Sequence, residues 1–129
     1  MALEDNEYTS MTHNADTQSI ELEWKAATTH MTAEDFKAAL SQLATHIRAE
    51  HATGALVDVR EFGFHPTAEL GEWREENIIP AYNAAGLKRF AYLLPPGVDY
   101  RPAGGGDGAQ FATDYFDDPA QARAWLAEA

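Results

Sequence analysis

Hydrophobic positions along the chain recur with two different periods, and the switches between them mark the elements. Ile20, Leu22 and Trp24 alternate with Glu21, Glu23 and Lys25, a period of two that gives a strand one buried face and one wet face. The pattern predicts strands over Glu7 to His13 and Gln18 to Ala26, joined by Asn14-Ala15-Asp16-Thr17, residue types that favour a turn. Such a hairpin belongs at a sheet edge or over one side of a sheet. The period then lengthens. Phe36, Leu40, Leu43 and Ile47 fall on one helical face, with Ala39 and Ala44 beside them. Thr32 and Asp35 have the form of a capping box, and Glu34 suits the positive helix end. The helix is expected to run to about His51 and to close at Thr53-Gly54.

The stretch Gly54-Ala55-Leu56-Val57-Asp58-Val59-Arg60 is apolar at nearly every position, as in a strand covered on both faces of a mostly parallel sheet. Ala55, Val57 and Val59 point to one side, and Leu56, Asp58 and Arg60 to the other. A buried carboxylate needs a donor or a positive partner, and Arg60 is the candidate for Asp58. Beyond the turn Glu61 to Thr67, Pro66 suits the first turn of a second helix. Leu70, Trp73, Asn77 and Ala81 follow helical spacing, Ile78 and Tyr82 widen that stripe, and Glu69, Glu72, Glu75 and Glu76 make the other side acidic. Pro80 has no N–H for the carbonyl of Glu76, so a kink or restart is expected there, and Gly86 ends the helix.

Phe90 to Leu94 reads as a strand stopped by Pro95-Pro96. Gly97 to Gln110, centred on Gly104-Gly105-Gly106-Asp107-Gly108, reads as a connector, because phosphate-cradling glycine loops open into a helix and usually carry a Lys. A strand over Phe111 to Phe116 and a helix capped by Asp117-Asp118-Pro119 complete the chain, the helix burying Ala122, Trp125 and Leu126. The element order predicts a layered α/β domain. Met1 to Asn6 is read as a disordered or irregular tail and residues from Glu7 to Ala129 as one domain.

Composition narrows the partners. The chain has 129 residues and no cysteine, so disulfides and thiolate metal sites are excluded. Its net charge is −12, with nine Lys and Arg against 21 acids, which argues against nucleic acid and anionic membranes. Apolar runs reach only four or five residues, short of a membrane span. The acidic N-terminus lacks the pattern of a signal peptide, and a cytoplasmic location is expected. Acids outnumber lysines seven to one, which points to a salt-adapted host. His46 and Glu50 lie four apart, but such a pair is at best half a metal site. No metal or other cofactor is expected.

The residues Leu22-Glu23-Trp24 before a capped helix, Leu56-Val57-Asp58-Val59-Arg60, Trp73 through Pro80 to Ala85-Gly86-Leu87-Lys88-Arg89, Tyr115-Phe116-Asp117-Asp118 and Ala124-Trp125-Leu126 resemble, in order and spacing, the SpoIIAA-like family of the STAS superfamily. The resemblance implies a mixed sheet of four to five strands with helices packed mainly on one side. It also implies a non-catalytic regulatory module that binds a protein partner or a small apolar ligand. One branch of the superfamily is switched by phosphorylation at the start of the helix after the central strand, where this chain has Thr67. The family's Asp-Ser-Ser-Gly pattern is replaced here by His65-Pro66-Thr67-Ala68.

Ligands of open α/β sheets gather beyond the carboxyl ends of the strands. The expected ligand or partner site is therefore Asp58, Arg60, Phe62, Phe64, His65 and Thr67, with Trp73 nearer the core, and a pocket lined by aromatics with Arg60 or His65 at its mouth. The alternatives are partner switching through a phosphorylated Thr67, and a small hydrolase-like enzyme using His65 with Asp58 and Thr67. A self-associating protein, as a homodimer, is a further alternative.

Overall fold

Strands and helices are interleaved along the chain after an opening run of strands. The computed structural model describes residues 2–97 and 108–129. The strands are β1 (Ala2–Asp5), β2 (Thr9–Asn14), β3 (Ser19–Trp24), β4 (Gly54–Asp58), β5 (Arg89–Leu93) and β6 (Ala112–Phe116). The helices are α1 (Ala33–Ala49), α2 (Ala68–Trp73), α3 (Ile79–Ala85) and α4 (Pro119–Ala127), with a 3₁₀ turn at Ala26–His30 and a π turn at Arg74–Ile78.

The six strands form one mixed sheet in the order β1-β2-β3-β4-β5-β6. The first three pair antiparallel, and β3 to β6 pair parallel. The fold is thus α/β with a mixed sheet, as the sequence predicts, but with six strands instead of four to five. The additional strand is β1, in the segment read from sequence as an irregular tail. A bulge between Ala2 and Glu4 marks its pairing with β2. Leu3 packs at the margin of the core, while the Glu4 carboxylate meets His46 Nε2 of α1 at 3.3 Å. His46 is thereby tied to β1 and not to Glu50. Four residues with one apolar anchor carry no readable alternation, which is why the strand is invisible in the sequence.

The two faces of the sheet are covered unequally. On one face Ile20, Leu22, Trp24, Ala55, Val57, Phe90 and Tyr92 meet Phe36, Leu40, Leu43 and Ile47 of α1, together with Ile78, Ile79 and Tyr82. On the other, among the described residues, α4 covers Leu56, Ala91 and Leu93 through Ala122 and Leu126. The helices therefore lie mainly on one side. The opposite projections of Val57 and Leu56 put β4 in both clusters, as the continuous apolar run requires. Gly54 is confined by this packing: a Cβ there would sit 2.5 Å from Ser19 Oγ. It begins β4 instead of closing α1. That closure falls on His51, at φ 53°, after the capping box of Thr32 and Asp35 has formed at the other end.

α2, the π turn and α3 run on from one another. Thr67 is the N-cap, one residue beyond Pro66, and its hydroxyl accepts from the N–H of Leu70 at 3.2 Å. The restart expected at Pro80 occurs, and the π turn immediately before it supplies the break. Gly86, at φ 89°, terminates α3. Of the connector read over Gly97 to Gln110, residues 98–107 lie outside the described residues. No helix among the described residues is long and apolar enough to cross a membrane.

Candidate functional site

The parity of β4 decides where its charged end points. Cross-strand partners share a face, so Ser10, Glu23, Asp58 and Leu93 form one row across the sheet, and Thr12, Glu21, Leu56 and Ala91 form the next. Both rows lie on the face that α4 covers only in part. Between α4 and the open β2–β3 ribbon lies a groove of about 260 Å³, lined by Ser10, Thr12, Glu21, Glu23, Leu56, Asp58, Arg60, Leu93, Pro119 and Arg123 among others.

Two ion pairs border it. Arg60 donates from Nε to Asp58 Oδ1 at 3.0 Å and from Nη2 to Oδ2 at 2.7 Å, and its backbone N–H also reaches Oδ1 at 3.0 Å. The side chain of Asp58 is 13% exposed and that of Arg60 is 43% exposed, so the carboxylate is largely covered while the guanidinium faces water. The pairing is set by the turn that follows β4, and the hydrogen bonds to Asp58 hold the Arg60 guanidinium above its usual range. Across the groove, Arg123 of α4 donates from Nε and Nη2 to the two oxygens of Glu21, each at 2.9 Å. Asn14 Nδ2 adds a third bond to Glu21 Oε2 at 3.0 Å. Burial pushes the Glu21 carboxyl up, but the hydrogen bonds from Arg123 and Asn14 and the charge of Arg123 outweigh it. The net result is a carboxyl held below its usual range.

The aromatic members of the expected site lie elsewhere. Phe62 packs on Trp24 with ring centroids 4.8 Å apart, and Phe64 stacks on Phe36 at 5.3 Å. These rings belong to the margin of the main core, on the α1 side of the sheet. The loop is led there by one buried tie: Gly63 donates its N–H to Thr28 Oγ1 at 2.8 Å, while that hydroxyl donates to the carbonyl of Lys25 at 2.7 Å. Gly63 suits this close approach, since a Cβ there would press on Thr29 Cγ2 and crowd the Thr29 backbone. Trp73 is half-buried at the same margin, with Lys37 Nζ over its ring at 5.5 Å. The rings thus fill one another's space and do not line the hollow beside Arg60.

His65 and Thr67 are exposed. The Thr67 hydroxyl is engaged as a helix cap, and no hydrogen bond among the described residues joins His65 to Asp58 or to Thr67. Of the seven residues expected at one site, the structure brings Asp58 and Arg60 together at the groove and places Phe62, Phe64 and Trp73 in a separate cluster.

Sequence reasoning overlooked Ser10, Thr12, Glu21, Glu23 and Arg123 as site residues. The alternation in β3 did mark Glu21 and Glu23 as a wet face. What it lacked was the partner, because Arg123 lies 102 residues further on. No group of three or more His, Asp or Glu side chains among the described residues is arranged to hold a metal ion. Comparison with protein-family models, with curated proteins and with solved structures found no match to the chain.

Proposed function

We propose that the chain is a non-catalytic regulatory module of STAS type that acts in the cytoplasm and binds a protein partner across the open half of its sheet. The observation that carries this reading is the unequal covering of the two faces. One side of β2–β3 is packed under α1, while the other presents Ser10, Thr12, Glu21 and Glu23 beside an open groove of mixed polar and apolar lining. A small apolar ligand has weaker support, because Phe62 and Phe64 are spent on packing against Trp24 and Phe36. A phosphorylated Thr67 would stand near Glu69 and Glu72, which oppose added negative charge. A hydrolase would need His65 joined to a nucleophile or an orienting acid.

A photo-crosslinking amino acid placed singly at Thr12, Glu23 and Ala38 tests the reading in a cell extract of the host. Glu23 faces the open side, and Ala38 is exposed on α1. The expected result is one discrete adduct from Thr12 and Glu23, suppressed by excess unmodified protein and absent from Ala38. The captured protein, once purified, should bind the module without other components. Adducts from Ala38 alone, or no adduct together with a raised melting temperature in long-chain fatty acid, would replace this reading with another surface or with ligand binding.

A further inference from the structure

Resting on that reading, we infer that the groove between α4 and the β2–β3 ribbon seats one long cationic side chain from a basic segment of the partner. Its apolar stem would lie along Leu56, Leu93 and Pro119 and its charged end at Glu23. The first observation is charge. Glu21, Glu23 and Asp58 line the groove against Arg60 and Arg123, so one negative charge is left over. Glu21 is bound by Arg123 and Asn14, and Asp58 by Arg60. Glu23 is exposed and makes no hydrogen bond or ion pair to a described residue. Arg60, already bonded to Asp58, adds only a longer-range attraction.

The second observation is register. Glu23 stands opposite Asp58 in the parallel pair of β3 and β4, and Glu21 shares its face two residues earlier on the same strand. Neighbouring strands lie about 4.8 Å apart, and like charges placed directly opposite destabilise a sheet. Arg60 and Arg123 neutralise the two flanking carboxylates, so the repulsion that remains is concentrated on Glu23. A cation brought to Glu23 removes it.

The third is the form of the groove. Its volume of about 260 Å³ falls below the roughly 300–1,000 Å³ of small-molecule sites, which suits a side chain better than a whole ligand. Leu56 and Leu93 of the sheet and Pro119 of α4 give it an apolar side, with Glu23 on the wall. Lys and Arg match that division, because they lay an apolar stem along apolar surface and keep a charged head in polar surroundings. The overall charge of −12 also steers a basic segment toward the protein, over the roughly 8 Å that screening allows at physiological ionic strength.

Fluorescence anisotropy with a short labelled peptide, one lysine at the centre of alternating threonine and valine, tests the inference at physiological ionic strength. A norleucine version keeps the stem and drops the charge, and a glutamate version reverses the charge. The lysine peptide is expected to bind about fivefold more tightly than the norleucine peptide, and the glutamate peptide most weakly. Glu23→Gln should bring the lysine peptide down to the norleucine level and leave the norleucine peptide unchanged. Glu76→Gln removes an exposed acid on the π turn and should leave the lysine preference intact, which separates the groove from the general field. Because Glu23→Gln relieves repulsion, that variant should melt no lower than the natural sequence.

Equal binding of the lysine and norleucine peptides, or no saturable binding, would overturn the inference. So would a lysine preference that survives Glu23→Gln or falls equally in Glu76→Gln. A lower melting temperature for Glu23→Gln would assign Glu23 a structural partner, with the same consequence. In the cell extract, the adduct from Thr12 should fall several-fold in the Glu23→Gln background. A crosslinking residue in place of Glu23 should for the same reason capture the partner in lower yield than one in place of Thr12. An undiminished Thr12 adduct in Glu23→Gln overturns the inference and leaves the protein-binding module standing. Loss of the wild-type adduct itself is the separate failure of that module.

Discussion

Tyr82 shows most directly how a single side chain is judged by what surrounds it. It is fully buried, with its ring 5.8 Å from that of Phe90 and 5.9 Å from that of Phe111. Its hydroxyl has no hydrogen-bond partner among the described residues, and burial pushes the phenol well above its usual range, so it stays neutral. An unsatisfied buried hydroxyl costs about 1–3 kcal/mol, whereas the ring itself contributes apolar packing. Tyr82→Phe is therefore expected to stabilise the protein by about 1 kcal/mol, which raises the melting temperature by roughly 4 °C. A lower melting temperature in calorimetry would show that the hydroxyl has a partner after all. The same local logic made the Asp58–Arg60 pair legible from sequence, because a covered carboxylate needs a donor and Arg60, two residues on in the turn after β4, brings both its N–H and its guanidinium to Asp58. It failed for Phe62 and Phe64, which follow the last residue of β4. Past a strand end parity no longer applies, and the direction of the loop depends on the bond from Gly63 to Thr28, a residue 35 positions earlier.

Among the elements, the rod from Ala68 to Ala85 separates what a helical period can and cannot tell. An uninterrupted α-helix would align Leu70 with Asn77 and Ala81, as the sequence reading has it. In the structure Asn77 is exposed, and Ile78, Ile79 and Tyr82 are buried below Leu70. The π turn at Arg74–Ile78 accounts for the shift, since it adds one residue to a turn and moves the apolar face one position along. Pro80 is the reason to expect a break, because proline inside a regular helix costs about 3 kcal/mol or more. At the start of α3 the missing N–H does less damage. Deleting Glu75 should restore α-periodicity without rotating Ile78 and Tyr82 off the core, but it traps Pro80 in a helix interior. The deletion alone is expected to cost about 3 kcal/mol in denaturant melts, and adding Pro80→Ala should recover most of that loss. If Pro80→Ala fails to rescue the deletion, the π turn has a cause other than the proline. The register of this rod was hidden from the sequence because the pattern carries both stripes, and only packing against α1 and the sheet chooses between them.

Across the whole molecule the dominant quantity is charge. The net −12 lies on a surface where Glu69, Glu72, Glu75 and Glu76 are all exposed along one short stretch. Pairs of a cation with an acid among the described residues include Lys25 with Asp5, Lys37 with Glu34, Arg60 with Asp58 and Arg123 with Glu21, besides the Glu4–His46 contact. Most acids therefore repel one another through water, and this repulsion weakens as the Debye length shrinks from about 10 Å at 0.1 M salt to about 3 Å at 1 M. The melting temperature is expected to rise by on the order of 5 °C between those two conditions, the shift that about 1 kcal/mol produces in a domain of this size. Salting-out would raise it as well, so the slope needs a control that changes charge and little else. Replacing Glu72, Glu75 and Glu76 by Gln removes three exposed charges without touching a described ion pair. That variant should melt higher than the natural sequence at low salt and gain less from added salt. Equal slopes for the two proteins would assign the salt effect to hydration of apolar surface. A flat or falling melting temperature in the natural sequence would remove the argument for salt adaptation altogether.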